Sequence, residues 1–419
     1  MAIEKQQLGT QDNPDINVGG NAIEVFPEPT RQDQIREAAE ILVTEEEILV
    51  GDEIDAEDPQ ADPAAFDANL VDFVDESELK SLSGDILSSI RHDKESRSEW
   101  EKTYIEGLKY LGMKFDEARS EPFEGSSGVI HPILAEAVTQ FQAQAYKEML
   151  PAKGPVKTQL VGQRTAETEA QADRVQEFMN FYIMNVMQDY DPELDMLLFY
   201  LPLAGSAFKK IYYDNVLNRA VSKFVSPEDL IVPYEASDIS SAERVTHAIS
   251  MSRNEIKKQQ LSGFYADVEI KSESYDPDDD EVQKEIDEIE GLSPSYAEDR
   301  DHTVYEVHTI LDLAGFEDMD KDGNPTGLKL PYIVTIDESS QTVLSIRRNF
   351  VEGDPYKNKI NYFVQYKFLP GLGFYGLGLS HMIGGISKAS TSILRQLIDA
   401  GTLANLPAGF KARGMRIRD

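Results

Sequence analysis

Three glycines near the C-terminal end of the chain have the spacing of a dinucleotide-binding loop. Gly371, Gly373 and Gly376 form the pattern Gly-x-Gly-x-x-Gly between an apolar, strand-like run and a long, helix-like run. Such a loop binds a pyrophosphate when it opens a parallel βαβ unit with an acidic residue about 20 residues further on. Here Asp399 falls inside the helical run, and the strands before the loop alternate as antiparallel strands do. We therefore predict no cofactor, with a nucleotide-dependent oxidoreductase as the alternative function.

An acidic loop has the first half of a calcium-binding pattern. Four residues match the start of an EF-hand loop: Asp318, Asp320, Asp322 and Gly323. The twelfth position, where calcium needs a bidentate Glu, is Lys329. The flanking runs are strand-like, whereas an EF-hand needs helices. A hairpin turn with Asp-Gly chemistry explains the residues better, and an acidic calcium-binding module is a further alternative.

Other residues that could do chemistry give weaker signals. His302, Glu306 and His308 lie on one face of a predicted strand and could bind a metal, but a polar strand face is the commoner use of such residues. The chain has no cysteine, which excludes disulfides, thiolate nucleophiles and Cys-based zinc sites. Neither a Walker sequence nor a nucleophile elbow is present. We predict that the chain is not an enzyme and holds no metal.

The charge is large and unevenly distributed. The 419 residues carry a formal net charge of −36, which argues against a simple DNA-binding protein that displaces counterions with clustered Lys and Arg. Residues 1–80 hold 22 Asp and Glu against 4 Lys and Arg, and residues 271–301 hold 13 against 3. We predict that 1–80 is an acidic arm without fixed structure and that 271–301 is an exposed acidic insertion. No apolar run is long enough to span a membrane.

The remaining segments predict an α+β fold. Residues 81–270 show helical spacing that gives way to the alternation of strands, and residues 302–419 combine an antiparallel meander, the glycine loop and one long helix. The meander is predicted to contain the strands of 303–315, 327–337, 341–350 and 360–368. The long helix carries one apolar stripe: Leu379, Met382, Ile383, Ile386, Ile393, Leu394 and Leu397.

Two further sets of residues are predicted to have structural or binding roles. Glycine permits sharp turns and close approach of backbones, so six glycines are predicted to be hinge or close-packing positions, within the subunit or between neighbours. They are Gly371, Gly373, Gly376, Gly378, Gly384 and Gly385. A basic segment in this acidic chain could contact phosphate or an acidic partner, or form a solvated edge. Its cations are Lys411, Arg413, Arg416 and Arg418.

Four segments together resemble the portal proteins of tailed bacteriophages, in particular the large portals of short-tailed phages. They are residues 123–159, 226–256, 327–350 and 368–419, and the likeness as a whole covers about residues 85–419. The segments agree in order, and this order makes the resemblance specific. The chain stops soon after the long helix, so we expect the wing-like body of a portal in a truncated or split form that lacks the stem, clip and crown.

The resemblance implies a structural protein of the virion. Portals form a ring, here expected to have twelve identical subunits, at one vertex of the capsid, after assembly in the host cytoplasm. Double-stranded DNA passes through the channel during packaging and ejection. The implied partners are the terminase large subunit, capsid and scaffolding proteins, and tail or head-completion proteins, with no membrane. An acidic chain suits such a channel, since tight binding of phosphates would stall the DNA.

Overall fold

A computed structural model describes residues 65–111, 122–214, 217–270, 286, 289, 302–319 and 325–405. The helices of this part are α1 Glu76–Ser96, α2 Ser98–Lys109, α3 Ile133–Met149, α4 Ala166–Phe181, α5 Tyr190–Ala204, α6 Arg253–Leu261 and α7 Leu379–Asn405. The strands are β1 Ser206–Asp214, β2 Arg219–Val225, β3 Leu230–Ile231, β4 Val245–Met251, β5 His302–Leu311, β6 Leu330–Asp337, β7 Thr342–Arg348 and β8 Phe363–Lys367. A π-helical turn, Tyr182–Val186, directly follows α4.

The strands form two antiparallel sheets, which confirms the predicted α+β class and the long C-terminal helix. One sheet has the order β3-β4-β5-β6-β7 and the other the order β2-β1-β8. The prediction of a four-stranded meander is wrong for its fourth strand, which is β8. The chain crosses between the sheets after β7, and β8 pairs with β1 over Ser206–Lys210. Strand β4 was not predicted, because Thr246, His247 and Ser250 interrupt the apolar alternation that marks a half-buried strand.

The ends of several helices follow local sequence signals. The hydroxyl of Ser252 accepts a hydrogen bond from the backbone N–H of Glu255, whose carboxylate accepts one from Ser252 in return, and this capping box begins α6. Thr165 and Thr168 make an equivalent box at the start of α4. Gly205 ends α5 in the left-handed conformation, with φ of 90°, which glycine adopts without strain.

Two apolar cores hold the elements together. In the first, α2, α3 and the start of α7 pack with the three-stranded sheet around Trp100, Tyr104 and Phe208. In the second, α1 packs on the five-stranded sheet around Ile90 and Tyr305. Within the described residues, none of the helices has both the length and the apolar character that crossing a membrane requires.

The structure differs from two predictions about the acidic segments. The acidic arm was predicted to extend over residues 1–80, but Leu70 is fully buried in the second core and α1 begins at Glu76. The folded region therefore begins before residue 81. Ile286 and Ile289, from the insertion that was predicted to be exposed, are partly buried against the first core.

A half-buried ion pair joins the two sheets. The Nζ of Lys210 on β1 lies 2.7 Å from both carboxylate oxygens of Glu306 on β5. His308 Nε2 lies 2.8 Å from Glu306 Oε1, and His247 is the cross-strand neighbour of Glu306. Burial alone would raise the pKa of Glu306, but the hydrogen bond from His308 and the charge of Lys210 outweigh it and hold the pKa well below its usual range.

The depressed pKa of Glu306 predicts a loss of stability in acid. Its contribution is complete above the ordinary Glu pKa of 4.5 and declines as pH falls below it, because the unfolded chain then takes up a proton that the folded chain does not. Glu306→Gln should lower the free energy of unfolding by about 3 kcal/mol at pH 7, since it leaves Lys210 without its counter-charge. Urea titrations at pH 7 and pH 3 should show this difference narrowing by about 2 kcal/mol. A difference independent of pH would contradict the assignment.

Candidate functional site

The glycine loop packs backbone against backbone on the turn that follows α5. A Cβ at Gly376 would lie 2.3 Å from the carbonyl oxygen of Gly205, and one at Gly378 would lie 2.4 Å from the carbonyl oxygen of Leu203. The Gly376 N–H also donates to Ser206 Oγ at 2.7 Å. No larger residue fits at these two glycines without moving the main chain of the turn.

The other loop glycines are also close-packed. A Cβ at Gly371 would lie 2.2 Å from the Tyr375 carbonyl oxygen, and one at Gly373 would lie 2.4 Å from the ring of Tyr234. None of the four loop glycines has a positive φ. They are therefore needed for close approach, not for a special backbone conformation. Carbonyl oxygens and a ring occupy the space beside the loop, and carbonyl oxygens repel phosphate, so the loop is not a pyrophosphate cradle.

A buried arginine ties this loop to the start of the body. Arg97, between α1 and α2, donates to the carbonyl oxygens of Pro227 at 2.9 Å and Glu228 at 2.7 Å, and to the Tyr375 hydroxyl at 3.2 Å. Trp100 Nε1 donates to the Gly376 carbonyl oxygen at 3.0 Å. Burial alone would lower the pKa of Arg97, but Tyr375, Glu101 and Glu228 raise it, so the guanidinium stays charged. The sequence reading missed Arg97, which no motif marks.

Helix α7 contacts the body through small and polar residues. Ser380, Ser387 and Thr391 are its buried residues. The Ser380 hydroxyl donates to the Leu203 carbonyl oxygen at 2.8 Å, and Thr391 Oγ1 accepts from the backbone N–H of His131 at 3.1 Å. Further along the helix, Asp399 and Arg395 bind the backbone of residues 127–129. Polar contacts of this kind contribute to fixing the orientation of α7.

The apolar stripe predicted on α7 points largely outward. Leu379 and Ile383 pack against the first core, at the start of the helix. Four other side chains are exposed by 52–69% and follow one another at intervals of four, seven and four residues, which places them on one side of the helix. These four residues define the α7 apolar face: Met382, Ile386, Ile393 and Leu397.

The two glycines inside α7 have open space around them. A Cβ at Gly384 or Gly385 would meet no heavy atom within 4 Å. Inside the subunit these two residues are therefore not close-packed. Sequence spacing groups residues on a helix face but does not say which face is covered. Packing of Gly384 and Gly385 against a neighbouring subunit stays a prediction.

Helix α4 also exposes its apolar side chains and is attached to the body through polar ones. None of its residues is buried. It is attached through amides: Asn180 Oδ1 accepts from the Val156 N–H at 2.8 Å, and Gln176 Oε1 accepts from the Thr158 N–H at 3.1 Å. Its large apolar side chains are exposed, with Phe178 at 62%. These side chains define the α4 apolar face: Val175, Phe178, Met179 and Phe181.

The predicted metal-binding residues do not converge on one point. Glu306 contacts His308 and Lys210, whereas His302 Nδ1 lies 3.5 Å from Asp337 Oδ1, away from Glu306 along β5. Throughout the part of the chain that the structure describes, no group of three or more His, Asp or Glu side chains is arranged to hold a metal ion.

The predicted calcium loop connects β5 and β6, which are neighbouring antiparallel strands. An EF-hand loop is flanked by helices instead. Asp318 accepts hydrogen bonds from the Thr326 hydroxyl and from Lys357. Its carboxylate is thereby engaged in closing the turn. The rest of the calcium pattern lies outside the described residues: Asp320, Asp322 and Gly323. So do the basic residues predicted to contact phosphate or an acidic partner: Lys411, Arg413, Arg416 and Arg418.

A cleft of about 530 Å³ lies between the α1–α2 junction and the face of β3, β4 and β5. Its lining carries both signs of charge. Inside it, the Tyr305 hydroxyl donates to Glu338 Oε1 at 2.6 Å and accepts from Lys94 Nζ at 3.1 Å. The phenol thus bridges an ammonium and a carboxylate, an arrangement that links α1 to the sheet.

The glycine packing predicts opposite effects for two matched substitutions. Gly376→Ala should lower the free energy of unfolding by about 3 kcal/mol, because its methyl group would overlap the Gly205 carbonyl oxygen. Gly384→Ala, in open helix, should raise it by about 0.5–1 kcal/mol. Trp100 is the only tryptophan and is buried at this loop, so its fluorescence during urea unfolding reports both variants. Equal stability of wild type and Gly376→Ala would contradict the close packing.

Comparisons with known proteins do not place the chain in a family. No family model matches the sequence, and no curated protein matches it significantly. Function has to be inferred from the groups and surfaces described above. The close-packed glycine loop and the two outward apolar helix faces are the features that a function must explain.

Proposed function

We propose that the chain is a structural subunit of a bacteriophage portal ring, through which double-stranded DNA is packaged and ejected. The proposal includes a place at one vertex of the virion capsid, a ring of about twelve copies, and docking of the terminase large subunit, of capsid and scaffolding proteins and of tail or head-completion proteins. The resemblance of four ordered segments suggests the family. The surfaces of the folded body support an assembly of this kind.

The main support for the proposal is the pair of apolar helix faces that the folded body leaves exposed. Two helices of the same chain are attached by polar or small groups and present apolar faces outward. Exposed apolar patches of this kind mark interaction surfaces in monomeric structures. A cyclic ring needs two different surfaces on each subunit, because a head-to-tail interface joins one face to another. The α4 and α7 apolar faces supply two such surfaces.

The charge of the chain supports a conducting role over a DNA-binding role. A net charge of −36 disfavours tight contact with phosphates, so a duplex inside such a ring would slide without being held. The glycine loop, which suggested a nucleotide enzyme, is filled by the chain's own carbonyl oxygens. A structural role accounts for the loop as the joint that directs α7.

Imaging of the full chain tests the proposal. Mass photometry across a range of concentrations should show one large species of about twelve subunits, and negative-stain images should show closed rings with a central opening that admits a B-form duplex. Adding linear double-stranded DNA should neither dissociate the ring nor precipitate the protein. A chain that stays monomeric at all concentrations, or that forms only closed dimers, would contradict the proposal.

A further inference from the structure

We propose that the α7 apolar face of one copy is covered by the α4 apolar face of the next copy. This inference rests on the proposed function in one respect, namely that copies of the chain assemble. It adds the two surfaces that meet and the head-to-tail sense of their contact. The occupant of the α7 apolar face is thus a second copy of this chain, not a different protein or a nucleic acid.

Both faces are exposed within the described part of the fold, and the shorter one fits along the longer one. The α7 apolar face runs over Met382–Leu397, and the α4 apolar face runs over Val175–Phe181. At 1.5 Å per residue these faces extend roughly 22 Å and 9 Å, so that one α4 fits along part of α7. The mutual burial of two such rows of side chains removes apolar surface from water on both copies.

Charge selects the α4–α7 pairing over the pairing of like faces. Helix α4 holds four acidic residues and one Arg, a net charge of −3, from 1 − 4. Helix α7 holds one acidic residue, one Lys and one Arg, a net charge of +1, from 2 − 1. Two α4 helices would repel each other, while α4 and α7 attract. Pairing of like faces would also be isologous and would close as a dimer.

The surface of α7 beside its apolar face has the relief that aromatic side chains need. Gly385 has no heavy atom within 4 Å of its Cβ position, and Ala389, four residues later, is also exposed. These two small residues leave open space next to Ile386. Phe178 and Phe181 of α4 are large, exposed and three residues apart, which places them as neighbours on the helix. We expect them to occupy this space on the next copy.

A mixing experiment with two charge variants of the full chain tests the pairing. Phe178→Glu disables the α4 apolar face, and Ile393→Glu disables the α7 apolar face. Each variant alone should be monomeric, with the loss of all rings in mass photometry. Mixed in equal amounts, they should form heterodimers and nothing larger, because each heterodimer uses the one intact face of each partner and leaves two disabled faces. Both sites are exposed, so the melting temperature of each variant should stay within a few degrees of wild type.

Ser392→Glu is the matched control, because it adds the same charge to α7 as Ile393→Glu does, at an exposed position about 100° around the helix from Ile393 and outside the α7 apolar face. It should assemble as wild type does. Rings that persist in either single variant, or homodimers of Phe178→Glu alone, would overturn the pairing. The outcomes separate the two proposals. Rings that form in wild type and in both variants would contradict the pairing but not the portal role. Heterodimers in the mixture, together with an absence of rings in wild type, would contradict the portal role but not the pairing.

Discussion

The contact between the glycine loop and the turn at Gly205 sets the direction of the long helix, and the outer surface of the molecule depends on it. Gly376 and Gly378 bring the loop against the main chain of this turn, closer than any side chain would allow. The Phe368 N–H completes the contact by donating to the Gly205 carbonyl oxygen at 2.9 Å. Helix α7 starts immediately after the loop and therefore inherits a fixed position relative to α5 and β1.

The fixed start of α7 explains how its apolar face can point away from the body. An amphipathic helix normally turns its apolar side toward the core. Here the first turn is held by Leu379, by Ile383 and by the hydrogen bond from Ser380 to Leu203. Further along the helix, the buried residues are serine and threonine. Helix α4 is held by amides in the same manner. The fold thus stays closed without these two faces, which are left for association.

The sequence predicted the class of fold and most elements because helical and strand periodicities are local properties. It also identified which residues of α7 share a face. It could not show that this face is uncovered, since that depends on the placement of the first turn by residues nearly 180 positions earlier, such as Leu203. For the same reason the sequence could not show that Gly376 is close-packed inside the subunit while Gly384 has open space around it. The role of Arg97 could not be predicted from the sequence, because its hydrogen-bond partners are mostly backbone carbonyls.

The absence of cysteine from the chain allows the central claim, head-to-tail contact of α4 with α7, to be measured directly. A double variant with Phe178→Cys and Ile393→Cys has one thiol on each face, and mild oxidation should link neighbouring copies only where the two faces meet. Denaturing gels of the oxidised double variant should then show a ladder of covalent oligomers, while each single variant stays a monomer. Dimers in either single variant, or no ladder from an assembled double variant, would contradict the account.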